Sequence, residues 1–305
     1  MTAATAPHRR GGNQLRRIES RQALGFISPA LAGLALFTVL PVGLSIIMSL
    51  YDWPAIGERE FIGFGNYISL FTSNPDFLPA LRNTAVFTLL FVPLNVTVAL
   101  TLALVLGPRI RGRAAFRVLF FIPVVTPIVA NVLVWRMILQ PRGLINGLST
   151  SLFGLDLPSF LAHPQWAMIM VVIMSVWAGM GYNMLIFSAA LEQLPEPVLE
   201  AARIDGAHGF RMLWRVVLPL ISPAIFFATV MTMITAMQVF AQPQLLTGGG
   251  PGNATIPLVM FIYNQAFTFQ EMGLAAAAAW ILFAIIITLT AFQFRAQKRW
   301  VHYEH

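Results

Sequence analysis

Long stretches without a charged side chain divide this sequence, and they restrict its fold more than any other feature. No Asp, Glu, Lys or Arg occurs between Arg21 and Asp52, Arg82 and Arg109, Arg117 and Arg136, Asp156 and Glu192, Arg215 and Glu271, or Glu271 and Arg295. A bilayer core takes about 20 mostly apolar residues in helix. The gaps predict six transmembrane helices, at about 24–50, 84–107, 117–139, 166–191, 219–242 and 272–294. The expectation is an all-α, polytopic membrane protein, a single membrane domain over 1–305. Composition agrees: 57% of the residues are hydrophobic and 10% charged, where soluble domains carry about 25% charge.

The placement of Lys and Arg predicts the orientation. Arg9, Arg10, Arg16, Arg17 and Arg21 precede the first span. Arg109, Arg111, Arg113 and Arg117 follow the second, Arg203, Arg211 and Arg215 follow the fourth, and Arg295, Lys298 and Arg299 follow the last. The other face holds Arg59, Arg82, Arg136 and Arg142 beside Asp52, Glu58, Glu60, Asp76, Asp156 and Glu271. Both termini, with the tail 1–23, and the 192–218 loop are thereby expected in the cytoplasm. The net charge of +7 follows from this asymmetry, so no nucleic-acid partner is inferred. The first apolar run is too long for a signal peptide and is read as a retained span. Absence of cysteine excludes disulfide and thiol chemistry.

The 192–218 loop is longer than a turn requires and contains helix-forming sequence. Pro195 and Pro197 stop the fourth helix. Val198 to Ile204 reads as a short helix, and Asp205-Gly206 as a turn. His208 to Val217 reads as a second amphipathic helix with Phe210, Leu213, Trp214 and Val217 on one side, and Pro219 fits the first turn of the fifth span. Two physical readings stand: a docking surface for a soluble partner, with Ala201 and Ala202 permitting close approach and Glu200 and Arg203 offering charge, or a helix lying on the headgroups.

The pattern Glu200-Ala201-Ala202-Arg203, then Asp205-Gly206-Ala207, then Leu218-Pro219 before a span resembles the cytoplasmic EAA loop of bacterial ABC importer permeases. Ser49-Leu50-Tyr51-Asp52-Trp53 with Phe61-Ile62-Gly63-Phe64-Gly65-Asn66-Tyr67, and Leu245-Leu246-Thr247-Gly248-Gly249-Gly250-Pro251, resemble segments of the carbohydrate-uptake branch (maltose, lactose and glycerol-3-phosphate permeases). The resemblance covers nearly the whole chain and is closer to the compact six-helix subunits. It implies a type I ABC importer permease fold with a core module at 80–295. It further implies that the loop residues named above dock into ATPase subunits.

The chain carries no ATP site of its own. A P-loop needs Gly-x-x-x-x-Gly-Lys-Ser/Thr, and the only lysine is Lys298, followed by Arg299. No metal-ligand spacing occurs among the five histidines. Asp and Glu are absent from every span interior, which weighs against a proton-coupled carrier.

A sugar path needs hydrogen-bonding groups beside flat apolar faces. Ser175, Gly179 and Tyr182 form a stripe on the fourth helix with Asn183 adjacent, and Thr232, Thr235, Gln238 and Gln242 form a polar band on the fifth. Asn131 and Trp135 on the third are further candidates. These groups either line a path or join this subunit to a second permease. In the maltose-type permease the helices flanking the coupling loop contact sugar, and Gly179 and Tyr182 match that pattern. Ser175 stands where the relative has an amide, and the fifth helix around Thr232 and Ala236 lacks a matching one. The direct contacts therefore differ here or come from the partner.

The resemblance implies a bacterial inner-membrane permease subunit for a small sugar-like molecule. Implied partners are a second permease, two ATPase subunits holding ATP and Mg, an extracytoplasmic solute-binding protein and membrane lipid. The alternatives are a stand-alone secondary carrier or channel, and a membrane enzyme, for which convergent ionisable groups are lacking.

Overall fold

The computed structural model describes residues 12–54, 56–107, 110–155, 158–299 and 301, with side chains from 22 onward except at Arg299. Residues 1–11 of the tail, with Arg9 and Arg10, and also Arg109 and Asp156, lie outside the described residues. The chain is helical almost throughout, because in hydrocarbon a helix satisfies its own backbone polar groups. Among the described residues, five helical runs are long and apolar enough to cross a membrane: Gln22–Ser49, Phe77–Val105, Ile128–Phe153, Pro164–Glu192 and Met272–Ala296. A sixth arises when the bent pair Gly209–Leu220 and Ser222–Met237 is taken as one crossing.

The first crossing comprises α1 (Gly12–Leu34), a π turn at Ala35–Val39 and α2 (Leu40–Ser49). A short hairpin follows, β1 (Tyr51–Asp52) against β2 (Glu60–Phe61), then α3 (Gly65–Thr72). Here the Ser49–Asn66 motif gains a physical reason. Asn66 Nδ2 donates to the carbonyls of Ser49 (2.9 Å) and Tyr51 (2.8 Å), and the amides of Met272 and Gly273 donate to Trp53 O. The end of the first crossing is thus fastened to the start of the last.

The second crossing, α4 (Phe77–Val105), begins before the expected residue 84 because the helix continues through Arg82, whose side chain is exposed. The stretch 117–139, expected as one continuous helix, differs in the structure. It is divided into α5 (Arg113–Val125) and α6 (Ile128–Leu139), with Thr126 and Pro127 extended between them. Proline lacks an N–H and disfavours helical backbone in the residue before it. The short α7 (Leu144–Phe153) leads to the fourth crossing, α8 (Pro164–Glu192).

After α8 come α9 (Glu196–Ile204), α10 (Gly209–Met212), a π turn (Leu213–Val217) and α11 (Leu218–Leu220). The chain then turns by 69° into α12 (Ser222–Met237). The fifth crossing stops at Met237 rather than 242. Gln238 to Phe240 leave the helix, and α13 (Ala241–Leu246) is separate. A loop, α14 (Leu258–Tyr263) and a π turn (Asn264–Thr268) precede α15 (Met272–Ala296).

The core is built on α8, which packs along α4 and α5, while α12 packs on α4. Phe91, Val171, Met174 and Met233 fill its centre, and Ala99, Ala103, Met184, Phe187 and Ala228 fill the end nearer the α8–α9 loop. The α5–α8 contact is close enough that a Cβ on Gly181 would clash with the carbonyl oxygen of Phe120. Gly181→Val is expected to push α5 off α8 and destabilise the chain by roughly 1–3 kcal/mol, read as a lower melting temperature of the detergent-solubilised protein.

Candidate functional site: an intramembrane polar cavity and the loop below it

Asn183 on α8 is the centre of the cavity. Its Nδ2 donates to Asn95 Oδ1 on α4 (2.6 Å) and to Thr232 Oγ1 on α12 (2.8 Å). All three side chains are buried. A polar group in hydrocarbon is costly unless paired, so these bonds hold three helices at one level. Beside them lies a cavity of about 320 Å³ lined by Phe91, Asn95, Gly179, Tyr182, Asn183, Met231, Thr232 and Thr235. The structure thus brings Gly179, Tyr182, Asn183, Thr232 and Thr235 to one space.

A second cavity of about 270 Å³ shares Phe91 and Thr235 and adds Ser175, Gln238, Phe240 and Gln242. The polar band of the fifth span reaches this cavity from three local structures: Thr235 from α12, Gln238 from its C-cap and Gln242 from α13. Ser175 and Thr235 also return hydrogen bonds to their own helices, at Val171 O (2.7 Å) and Met231 O (2.9 Å). Asn131 and Trp135 line neither cavity. Asn131 Nδ2 donates to Pro123 O (2.9 Å), a carbonyl freed by the α5–α6 break, and Trp135 packs edge-on against Trp177.

Asn95 and Phe91 were not among the sequence candidates. Each is a single residue on an apolar helix, and the partner of Asn95 is 88 positions away. The uncharged Asn in a span was the one available signal. The mouth of the first cavity is on the chain's own surface: Tyr182 is 51% exposed and Met231 42%.

The α8–α12 loop projects from the end of α8. Glu192, the last residue of α8, accepts hydrogen bonds from Arg113 Nη1 (3.1 Å) and Arg117 Nη2 (2.8 Å) at the start of α5. The end of α9 is closed by its own backbone. Gly206 N donates to Arg203 O (3.1 Å) and Ala207 N to Ala202 O (2.9 Å), the Schellman pattern with a left-handed glycine. Gly206 has φ +81°, so Asp205-Gly206 is the helix stop. Glu200, Ala201, Arg203, Asp205 and Gly206 are exposed, and Ala202 and Ala207 half-buried. Ile204 is 87% exposed, and Phe210 and Trp214, with rings 5.7 Å apart, are bare as well. Leu218 and Pro219 form the start of the turn into α12, where Ser222 Oγ donates to Pro219 O (2.6 Å).

These features define a membrane translocation subunit with a surface presented for a partner. Residues 95–302 match the model of the binding-protein-dependent transport system inner membrane component family, and the chain belongs to that family. It is an ABC importer permease of the inner membrane, and in this family separate ATPase subunits hydrolyse ATP. It is 32% identical to the probable ABC transporter permease protein YesP of Bacillus subtilis (strain 168), over 94% of each chain. It is 32% identical to the lactose transport system permease protein LacF of Rhizobium radiobacter (90% of this chain, 93% of the relative). It is 34% identical to the sn-glycerol-3-phosphate transport system permease protein UgpA of Rhizobium meliloti (strain 1021) (91% and 94%). Its fold matches a chain in the crystal structure of a bacterial alginate ABC transporter in complex with an alginate pentasaccharide-bound periplasmic protein, with TM-score 0.79 and 21% identity, over 95% of this chain and 98% of that one.

Asn183→Leu removes the donor shared by Asn95 and Thr232. It is expected to destabilise the α4–α8–α12 packing by about 1 kcal/mol, measured as a lower denaturation midpoint in detergent.

Proposed function

We propose that this chain forms one half of the translocation path of a bacterial importer for a sugar or sugar-like solute. It pairs with a second homologous permease, two ATPase subunits that hold ATP and Mg, and an extracytoplasmic binding protein that delivers the solute. Both termini and the α8–α12 loop face the cytoplasm, in keeping with the clustering of Arg and Lys on that side.

The observation that carries this reading is the lateral mouth of the polar cavity. Amides and hydroxyls cannot face lipid tails without a large cost, so a second protein surface must close the site. The names of relatives that handle lactose and sn-glycerol-3-phosphate support the solute class. Glu200, Ala201, Ala202, Arg203, Asp205, Gly206 and Ala207 form the ATPase docking surface, with Leu218 and Pro219 setting the angle at which the loop enters the bundle. Nucleotide-driven closure of the ATPases pushes on α9, and α8 carries that push to the cavity wall, exchanging inward- and outward-facing states.

The chain has no cysteine, so one introduced at Ala201 or Ala202 is unique. Each is expected to crosslink to the ATPase subunit in intact cells; absence of that product at both positions counts against the docking assignment. Gly206→Val forces a branched side chain into φ +81°. It is expected to reduce solute uptake per ATP hydrolysed at least tenfold in proteoliposomes. Full coupling in the variant contradicts the role given to the loop, and uptake by the purified chain without ATPases contradicts the reading as a whole.

A further inference from the structure

The ion pairs at the loop end of the bundle join two helices whose own ends disfavour the charges they carry. Arg113 and Arg117 stand in the first two turns of α5, on one face of it, and no acidic residue lies in its first turn. The start of a helix carries partial positive charge, so cations there are unfavourable. Glu192 is the last residue of α8, at the partially negative end, and no basic residue of that last turn offsets it. Each charge is a local cost to its helix. Across the seam the costs cancel, because Glu192 Oε1 accepts from Arg113 Nη1 at 3.1 Å and from Arg117 Nη2 at 2.8 Å. The side chains of Arg113 and Glu192 are 37% and 39% exposed, and pairs this open to solvent contribute little to folding. Position, more than stability, is what the three charges supply.

The position they fix is that of α5 against the root of the α8–α12 loop, where α9 begins at Glu196. α5 packs chiefly along α8. It is held there at two levels, by the Glu192 pairing and by the close approach of Phe120 O to Gly181. At Thr126 and Pro127 this body ends. Both residues are extended, with ψ of 132° and 134°, and α6 takes a new course. α6 packs chiefly on α7 and α13, with a lighter contact to α8 that includes Trp135 on Trp177. Asn131 Nδ2 reaches back across the break to Pro123 O at 2.9 Å. That bond satisfies a carbonyl freed by the break and tethers the two halves. A joint made of one extended dipeptide and one side-chain bridge can change its angle without offering bare backbone to lipid. α13, on which α6 rests, supplies Ala241 and Gln242 to the wall of the second cavity.

We propose that Glu192, Arg113 and Arg117 are positioning residues for transport. They form an ionic clasp that makes α5 follow the loop. A push on α9 then bends the third crossing at Thr126-Pro127 and reaches α6, α13 and the second cavity by a route distinct from α8. The inference rests on the reading of the loop as the ATPase docking surface.

The test uses the complete transporter in lipid nanodiscs, with its second permease, ATPase subunits and binding protein, the other subunits freed of cysteine. Spin labels on cysteines introduced at Val118 of α5 and Met137 of α6, both exposed, span the break. A second pair, at Val118 and the exposed Glu196, spans the clasp. Distances are read by double electron–electron resonance without nucleotide and after trapping with ATP and vanadate. The Val118–Met137 distance is expected to change by about 2 Å or more, the scale of helix shifts in switching proteins, while the Val118–Glu196 distance holds. In Glu192→Gln the change at the break is expected to vanish, and the Val118–Glu196 distance to vary with nucleotide instead, while ATP hydrolysis continues. Exchange of the charges, Glu192→Arg with Arg113→Glu and Arg117→Glu, places each charge at the helix end that favours it. It is expected to restore the change at the break, which a merely structural need for the original side chains does not give. Arg113→Gln with Arg117→Gln opens the clasp from the other side, so the idea stays testable should Glu192→Gln assemble poorly. A constant Val118–Met137 distance in the unaltered transporter, an undiminished change in both opened variants, or no recovery on charge exchange overturns the proposal and leaves the docking assignment standing. Absence of crosslinks from Ala201 and Ala202 to the ATPase strikes at that assignment instead.

Discussion

The amide of Asn183 meets α4 and α12 at one point inside the bundle, through hydrogen bonds of 2.6 and 2.8 Å. Lipid tails are as apolar as leucine, so helices in a bilayer gain no hydrophobic drive to associate and depend on close packing and polar pairs. The junction at Asn183 and the tight approach at Gly181 together keep α8 central. The cavity exists because the same residues that fasten these helices leave room at Gly179.

α8 serves two ends of the molecule. One part of it carries Gly179, Tyr182 and Asn183 in the cavity wall, and its last residue carries the Glu192 pairing with α5. Glu192 follows Asn183 by nine positions, about 14 Å of helix at 1.5 Å per residue. An unbroken helix over that distance moves as a rod, whereas the crossings on either side are interrupted, at Thr126-Pro127 and at Ile221. The stiff element lies between two bendable ones, and it is the one that joins the exposed loop to the polar cavity.

Much of this was legible in the sequence because charge is excluded from hydrocarbon, so charge-free gaps mark crossings directly. The Glu200–Ala207 pattern was legible for a local reason: a helix that ends in a left-handed glycine writes its stop in adjacent residues. What was hidden depends on distant partners or on uncharged breaks. Asn95 has no periodic neighbour to announce it, and its meaning comes only from Asn183. The end of the fifth crossing at Met237 was invisible because Gln238 and Gln242 carry no charge, so the gap ran on past the helix. Pro127 stands openly in the sequence, but proline is common in membrane helices. What makes it a break is the extended Thr126, and Asn131, an expected path residue, is occupied with the carbonyl of Pro123. The Glu192 pairing joins residues more than seventy positions apart and has no local signature.

The backbone closure of α9 has a thermodynamic corollary. Segments that fold only on contact give up affinity to the entropy of ordering. Here the carbonyls at the end of the helix are already satisfied by the amides of Gly206 and Ala207, so the loop is ordered before any encounter. Little conformational freedom is left to lose on engagement. Under the proposed docking role, a joint of this kind can seat and unseat repeatedly without melting.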